Sequence, residues 1–389
     1  MSLPIRRIKP EHLPQLETLF NQVFGQWYLR LPVLLKRDWP HIYYGSNIRN
    51  CYGAFDGGKL VAHTAARPVR IAMEGAELLW ASYGNVMTHP DYRGRHLASR
   101  LNRLVWGNLK KTGVDGVYIS GGASIYQRMG ATHCGNYSEV WLGPRNLVMM
   151  GKGRTELTVR PCRRTEAGVL VGLHRNETTG FRRREFDYHQ VLTTGWAMLN
   201  RAWPWLVMHR GTPLAYALVG PEWTRSPRPT GRGHVVDYAG SRSALFLGLP
   251  KIMKKAGYSA GDITVGGGDR DLLWLMRSVG AKGKWHGVHG TQIIINPSRL
   301  FKRLHPYFVR RLGDEAARGL GLRRLPGGKY EISLGSRRHR LDGLKPLTRL
   351  ILGAKEPEWT GLLPGKGPLR DSLRRIFPIP FPHIGLNWM

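Results

Sequence analysis

A chain of 389 residues, 42% hydrophobic and 10% aromatic, is long enough for two or three packed domains and falls outside the disordered class. Its formal net charge of +33 runs through the whole length rather than gathering in one tail. That spread favours a broad field collecting an anionic partner over a nucleic-acid arm, with solvated basic residues reflecting composition as the plainer reading. Cys51, Cys134 and Cys162 form no Cys-x-x-Cys pair, which argues against a disulfide framework and a zinc site. No signal-like leader and no apolar run of bilayer length is found, so the expectation is a cytoplasmic chain without a transmembrane segment and without a metal.

In chain order, Pro4–Ile8 reads as a strand and the residues up to 26 as a helix with Leu13, Leu16, Leu19, Phe20 and Phe24 on one side. Residues 27–44 read as a second helical stretch, broken at Pro32 and Pro40 and carrying Trp27, Tyr28, Trp39, Tyr43 and Tyr44. Cys51–Phe55 and Leu60–Arg67 flank an Asp56-Gly57-Gly58 turn, and Val69–Met73 and Leu78–Ser82 flank Glu74-Gly75, giving two hairpins.

A strand ending near Met87, a turn at Pro90-Asp91 and a helix with Leu97, Leu101 and Leu104 on its apolar side come next. The turn puts Arg93, Gly94 and Arg95 directly ahead of the first helical residues. Free backbone N–H groups, the positive end of the helix dipole and two guanidinium groups then converge on one spot, a place for a phosphate or pyrophosphate. By itself this is also what an ordinary strand-to-helix connection with a solvated turn looks like. A further strand, Gly116–Ser120, precedes Gly121-Gly122 and a short helix, Ala123–Gly130.

The run Arg93 to Ala98 resembles the acyl-CoA-binding motif of the GNAT acyltransferases, Arg/Gln-x-x-Gly-x-Gly/Ala between a strand and a helix. Arg93 fits the first position and Ala98 the last, while His96 stands where the family usually has its central glycine. The helix around Tyr126 resembles the family's next motif, in which a tyrosine faces the CoA sulfur. Taken as residues alone, Tyr126 also reads as a core tyrosine. The resemblance implies that Val86, Met87, Arg93, Gly94, Arg95, His96, Leu97 and Ala98 hold acetyl-CoA or another acyl-CoA. It implies further that Tyr126 protonates the departing thiolate. No carboxylate stands at Asn85, Val86 or Met87 to serve as base.

Residues 155–300 repeat the plan weakly: a strand at Leu157–Arg160, a helix at Glu166–His174, a hairpin about Gly211 and a central strand at His234–Tyr238. The run after Tyr238 lacks the phosphate-binding pattern, so a second, degenerate GNAT-like domain is expected. In residues 301–389, paired strands Tyr330–Leu334 and Arg338–Leu341 and a helix Leu344–Leu352 are expected. The layout resembles the Eis-like acetyltransferases. It implies an α/β chain with mixed sheets: a catalytic GNAT domain over 1–150, the second over 155–300, and a small sterol-carrier-like α+β domain over 301–389.

The last residues, Phe377 to Met389, carry three prolines and no charged side chain, so they should be buried. Eis-like proteins resemble this in sending an apolar tail into the first domain's active site, which makes the Met389 carboxylate the candidate group for positioning the amine or relaying its proton. The expected activity is transfer of an acetyl group from acetyl-CoA to an amine of a small molecule or peptide by direct attack. Rival readings are a long acyl donor on CoA or an acidic carrier protein, and a non-catalytic GNAT-fold protein binding an anionic partner. Expected partners are the CoA thioester, the amine acceptor, a carrier protein or other anion, and a second copy in a homo-oligomer.

Overall fold

Two seven-stranded mixed sheets carry most of the chain, and a three-stranded antiparallel sheet follows them. The computed structural model describes residues 3–25, 32–152, 156–197, 200–222 and 230–387. Trp27, Tyr28, Arg154, Trp388 and Met389 lie outside the described residues.

In the first sheet, Ile5–Arg7, Cys51–Asp56, Lys59–Met73 and Ala76–Thr88 follow one another as antiparallel neighbours. Gly116–Ile119 then adds in parallel and Thr291–Ile294 closes the far edge. The two expected hairpins share one continuous strand, because Lys59–Met73 runs unbroken through Pro68, and Leu78–Ser82 and Asn85–Met87 likewise belong to the single strand Ala76–Thr88. The Gly57-Gly58 and Gly75 turns supply the positive φ angles that tight hairpins need (+50°, +89° and +96°).

The second sheet repeats the plan, with Arg232–Gly240 parallel to Ala260–Gly266 and every other pairing antiparallel. The sheets exchange edges. Tyr137–Leu142, inside the range 1–150 expected for the first domain, pairs with Ala260–Gly266 in the second sheet. Thr291–Ile294, from the end of the second range, returns to the first sheet beside Gly116–Ile119. Boundaries near 150 and 300 therefore divide the sequence but not the sheets. The sequence misses this because hydrophobic patterning shows a strand but not its partner.

The third unit has the expected strands and helix, plus a strand at Leu320–Arg324 and helices at Pro297–Arg303, His305–Leu312 and Pro368–Ile376. Its core, with Ile332, Leu347, Ile351 and Leu373, continues through Phe377, Ile379 and Phe381 onto Trp80 and Tyr118 of the first sheet. Each such side chain contributes about 1.5–3 kcal/mol when fully buried, which is enough to hold the last segment in place. Among the described residues, no helix is long and apolar enough to cross a membrane.

Candidate active site

The central strand Ala76–Thr88 sets the geometry. Its antiparallel register to Lys59–Met73 shifts between His63, opposite Met87, and Ala65, opposite Gly84, so Asn85 and Val86 stand against the single residue Thr64. This is a β-bulge, and Asn85 takes the left-handed conformation at φ +52°. On the other side, pairing with Gly116–Ile119 covers only Trp80 to Tyr83, ending at the bond from Ser120 N–H to the Tyr83 carbonyl, 3.2 Å. Among the described residues, no ladder bond joins the two strands beyond that point, and the bulge lies just past it.

At the strand's end a one-turn helix, Pro90–Tyr92, leads to Gly94 at φ +78° and His96 at φ +56°, and the helix Leu97–Lys111 starts there. His96 thus adopts the backbone conformation that a glycine would take without cost. Among the described residues, no N–H from Gly94 to Ser99 donates a backbone hydrogen bond. The first to do so is Arg100, to the His96 carbonyl at 3.1 Å. Arg93, Gly94, Arg95 and His96 are all exposed. Arg95 lies 4.8 Å over the ring of Tyr92, whose hydroxyl donates to Asp56 at 2.8 Å. Arg93 has no ion pair among the described residues. The turn therefore offers unpaired N–H donors, a helix N-terminus and two guanidinium groups to one anion.

The helix packs on the sheet through Leu97, Leu101, Val105, Trp106 and Leu109. Leu104 does not share that face and is 39% exposed, a correction to the expected stripe: it lies three residues beyond Leu101, and the helix turns its buried side toward Val105 instead. Of the other expected cofactor residues, Ala98 and Val86 are half-buried, while the Met87 side chain packs into the core formed by Trp39, Tyr43 and Phe20. Only the Met87 backbone is left to face the cleft.

Tyr126 stands on the short helix Ser124–Arg128, 7% exposed and edge-on to Tyr83, with ring centroids 6.3 Å apart. Its hydroxyl makes no hydrogen bond among the described residues. Burial raises its pKa, so the phenol stays protonated.

The opposite face of the strand receives the last segment of the chain. Phe381 packs edge-on against Trp80, and the Tyr137 hydroxyl donates to the Pro382 carbonyl at 3.2 Å. Asn387, the last described residue, accepts from Arg67 at 3.3 Å. Arg67 is also paired with Asp187, and its backbone stands opposite Ser82, three residues before the bulge. The expected burial of this segment is found for Phe377, Ile379, Phe381, Ile384 and Leu386.

Several polar residues here carry no sequence motif, and their grouping escaped the sequence reading. Gln190 bonds His41 at 2.9 Å and the carbonyls of Arg37 and Asp38, tying the segment Leu35–Tyr43 to the second sheet's helix Glu185–Thr194. Tyr43, His63 and Asn85 form a buried polar group at the bulge. The available signal was a histidine inside the apolar run Leu60–Ala66.

In the second sheet, the equivalent helix Arg242–Lys255 is capped by the Ser241 hydroxyl, which accepts from Ala244 N–H. Arg242 is bound by Glu177 at 2.6 Å and Asp269 at 2.7 Å, and Glu177 also accepts from Gly240 N–H. Carboxylates of the protein occupy the spot that stays open in the first sheet. Among the described residues, no group of three His, Cys, Asp or Glu side chains is arranged to hold a metal.

Residues 4–134 match the model of the acetyltransferase (GNAT) domain. No curated protein matches the chain. Among solved structures, a GCN5-related N-acetyltransferase from Anabaena variabilis superposes with a TM-score of 0.64 at 15% identity, covering 98% of each chain. One from Kribbella flavida gives 0.64 at 16% over the full length of both, and Eis1 from Mycobacterium abscessus gives 0.60 at 13% over 97% of each. These identities carry the fold alone, while the domain match falls on the bulged strand, the Arg93 turn and Tyr126. Residues 4–134 thus form a GNAT acetyltransferase domain, set in a chain whose fold is that of the GCN5-related and Eis structures.

Proposed function

We propose that the chain transfers an acetyl group from acetyl-CoA to the amine of a small molecule or peptide, by direct attack and without a covalent enzyme intermediate. The observation that carries this reading is the open anion site: six consecutive N–H groups, Gly94 to Ser99, without backbone acceptors among the described residues, beside exposed Arg93 and Arg95, where the central strand leaves its parallel neighbour. Gly94 to Ala98 and Arg93 would hold the pyrophosphate, and the Val86 and Met87 backbone would align the thioester.

Attack of the neutral amine on the thioester carbonyl forms the C–N bond and builds negative charge on oxygen. Collapse breaks the C–S bond, and the Tyr126 hydroxyl gives its proton to the sulfur. The phenolate then recovers a proton from the ammonium of the product amide as it deprotonates. Burial that keeps Tyr126 protonated suits an acid rather than a resident base. The segment beyond Asn387, with Met389, is proposed to position the acceptor, supported by the course of the described tail toward Arg67. The second domain serves as scaffold, and the α+β unit as a sterol-carrier-like fold that anchors the tail.

Incubating the protein with acetyl-CoA, longer acyl-CoA donors and a panel of amines, followed by mass spectrometry, tests the reading. Acetylated amine with release of free CoA is expected. Thermal stabilisation by acetyl-CoA without product from any amine would leave a binding protein and sink the catalytic reading.

A further inference from the structure

Asn85 is a non-glycine residue in the left-handed region inside a strand, at φ +52° and 7% exposed. Asparagine tolerates this conformation better than most residues, but a buried one keeps it only if the surroundings hold it. Two side chains do so. The Asn85 side-chain N–H donates to the Tyr43 hydroxyl at 2.8 Å, and the Asn85 carbonyl lies 2.9 Å from His63 Nδ1. A carbonyl only accepts, so Nδ1 carries the proton and Nε2 the lone pair. His63 is fully buried and Tyr43 nearly so, with their rings 5.7 Å apart. Nε2 has no partner among the described residues. Among the described residues, the bulge carbonyl is thus what holds the histidine in this tautomer.

We propose that Tyr43, His63 and Asn85 form a clamp that fixes the bulge of the central strand, making Tyr43 and His63 positioning residues for the thioester. Three elements meet in it: the one-turn helix Pro40–Tyr43, the strand Lys59–Met73 and the central strand. The clamp fills the place at which a carboxylate would stand on the central strand, and its amide and imidazole hold backbone rather than take protons. It also links the segment Leu35–Tyr43, which Gln190 ties to the second sheet, directly to the backbone expected to face the thioester. The catalytic consequence rests on the acyl-transfer reading; the mechanical one does not.

The test uses the full-length protein with Tyr43→Phe, His63→Ala and His63→Asn, the last because an asparagine amide N–H can take the place of Nδ1–H. Amide exchange at Asn85, Val86 and Met87 is measured without ligands, and kcat and KM with acetyl-CoA and the best amine of the screen. Exchange at the bulge should quicken about tenfold or more in Tyr43→Phe and His63→Ala. Turnover should fall on the order of tenfold to a hundredfold with KM for acetyl-CoA little changed, as for a misplaced reacting group. His63→Asn should recover most of both.

Unchanged exchange in both of the first two variants would overturn the clamp. So would His63→Asn as damaged as His63→Ala, which would place the function on Nε2. If the unaltered protein transfers no acyl group at all, the exchange data still decide the clamp, so its failure and that of the acyl-transfer reading are told apart.

Discussion

His96 gives a sharp test of the turn because its backbone and its side chain make opposite demands. The residue sits at φ +56°, ψ +19°, makes no capping bond and is exposed. For a residue with a Cβ, the left-handed region costs roughly 1–2 kcal/mol, and glycine escapes this cost. Glycine also gives the unfolded chain more freedom, which offsets roughly 0.5–1 kcal/mol of the gain. His96→Gly should therefore stabilise the protein by about 0.5–1 kcal/mol, a rise of about 1–2 °C in Tm for a chain of this size. His96→Ala keeps the Cβ and removes only the ring, so it should leave stability within about 0.5 kcal/mol. Denaturant unfolding and calorimetry of the three proteins, each with and without acetyl-CoA, make the comparison. The glycine variant should bind acetyl-CoA at least as well, since the turn keeps its N–H groups and loses bulk. A destabilised glycine variant, or an alanine variant that loses as much as the glycine variant gains, would show that the imidazole holds the turn and refute the backbone argument.

Three further outcomes are expected. Arg93→Ala should weaken acetyl-CoA binding by about 1–3 kcal/mol, the usual loss of a charge-assisted bond to phosphate, with calorimetry giving one site per chain; unchanged affinity, or two sites, would contradict the site assignment. Tyr126→Phe should lower kcat roughly a hundredfold with KM nearly constant, because the phenol acts only as the thiolate departs; an unaltered kcat would return Tyr126 to the core. Burial pushes His41, His174 and His383 down to about 3 and His63 to about 4. The unfolded chain therefore takes up protons below about pH 6.5 that the folded chain refuses. Stability is full above that pH and should fall as pH drops toward 4, by at most about 1.4 kcal/mol per pH unit for each ring. Urea unfolding at pH 7, 6 and 5 giving equal stabilities would contradict this.

The sequence discloses what is local and hides what is shared. The basic turn, the helix behind it and the hairpin glycines are legible because their chemistry is written within a few residues, as at Asp56-Gly57-Gly58 and Arg93-Gly94-Arg95. The buried tail is legible too, since a segment with three prolines and no charge has little reason to stay in water. The exchange of Tyr137–Leu142 and Thr291–Ile294 between sheets is not, because strand patterning says nothing of partner. The Tyr43, His63 and Asn85 group is hidden for the same reason: its members lie on three elements and each looks like an isolated polar residue. Leu104 shows the limit within one helix, where three leucines suggest a stripe, but the stripe runs from Leu97 and Leu101 to Val105 and Leu109 and leaves Leu104 in solvent.

Why one helix N-terminus is open and the other closed follows from where the few acids lie. With 26 Asp and Glu against 59 Lys and Arg, most basic groups find no carboxylate, so each acid placed at a helix start is decisive. Glu177 and Asp269 together bind Arg242, whose side chain is 22% exposed, and Glu177 also takes the Gly240 N–H. Among the described residues, no carboxylate reaches Arg93 in this way. Glu177→Gln should therefore cost about 1–3 kcal/mol, since it strips a charged partner from a largely buried guanidinium. It should also leave that terminus receptive to an oxyanion, so millimolar pyrophosphate should restore part of the lost stability in the variant and give no increment at this site in the parent. Because pyrophosphate also fits the Arg93 turn, the comparison is made in an Arg93→Ala background. Equal stabilisation of both proteins there would show that Glu177 does not close the second site.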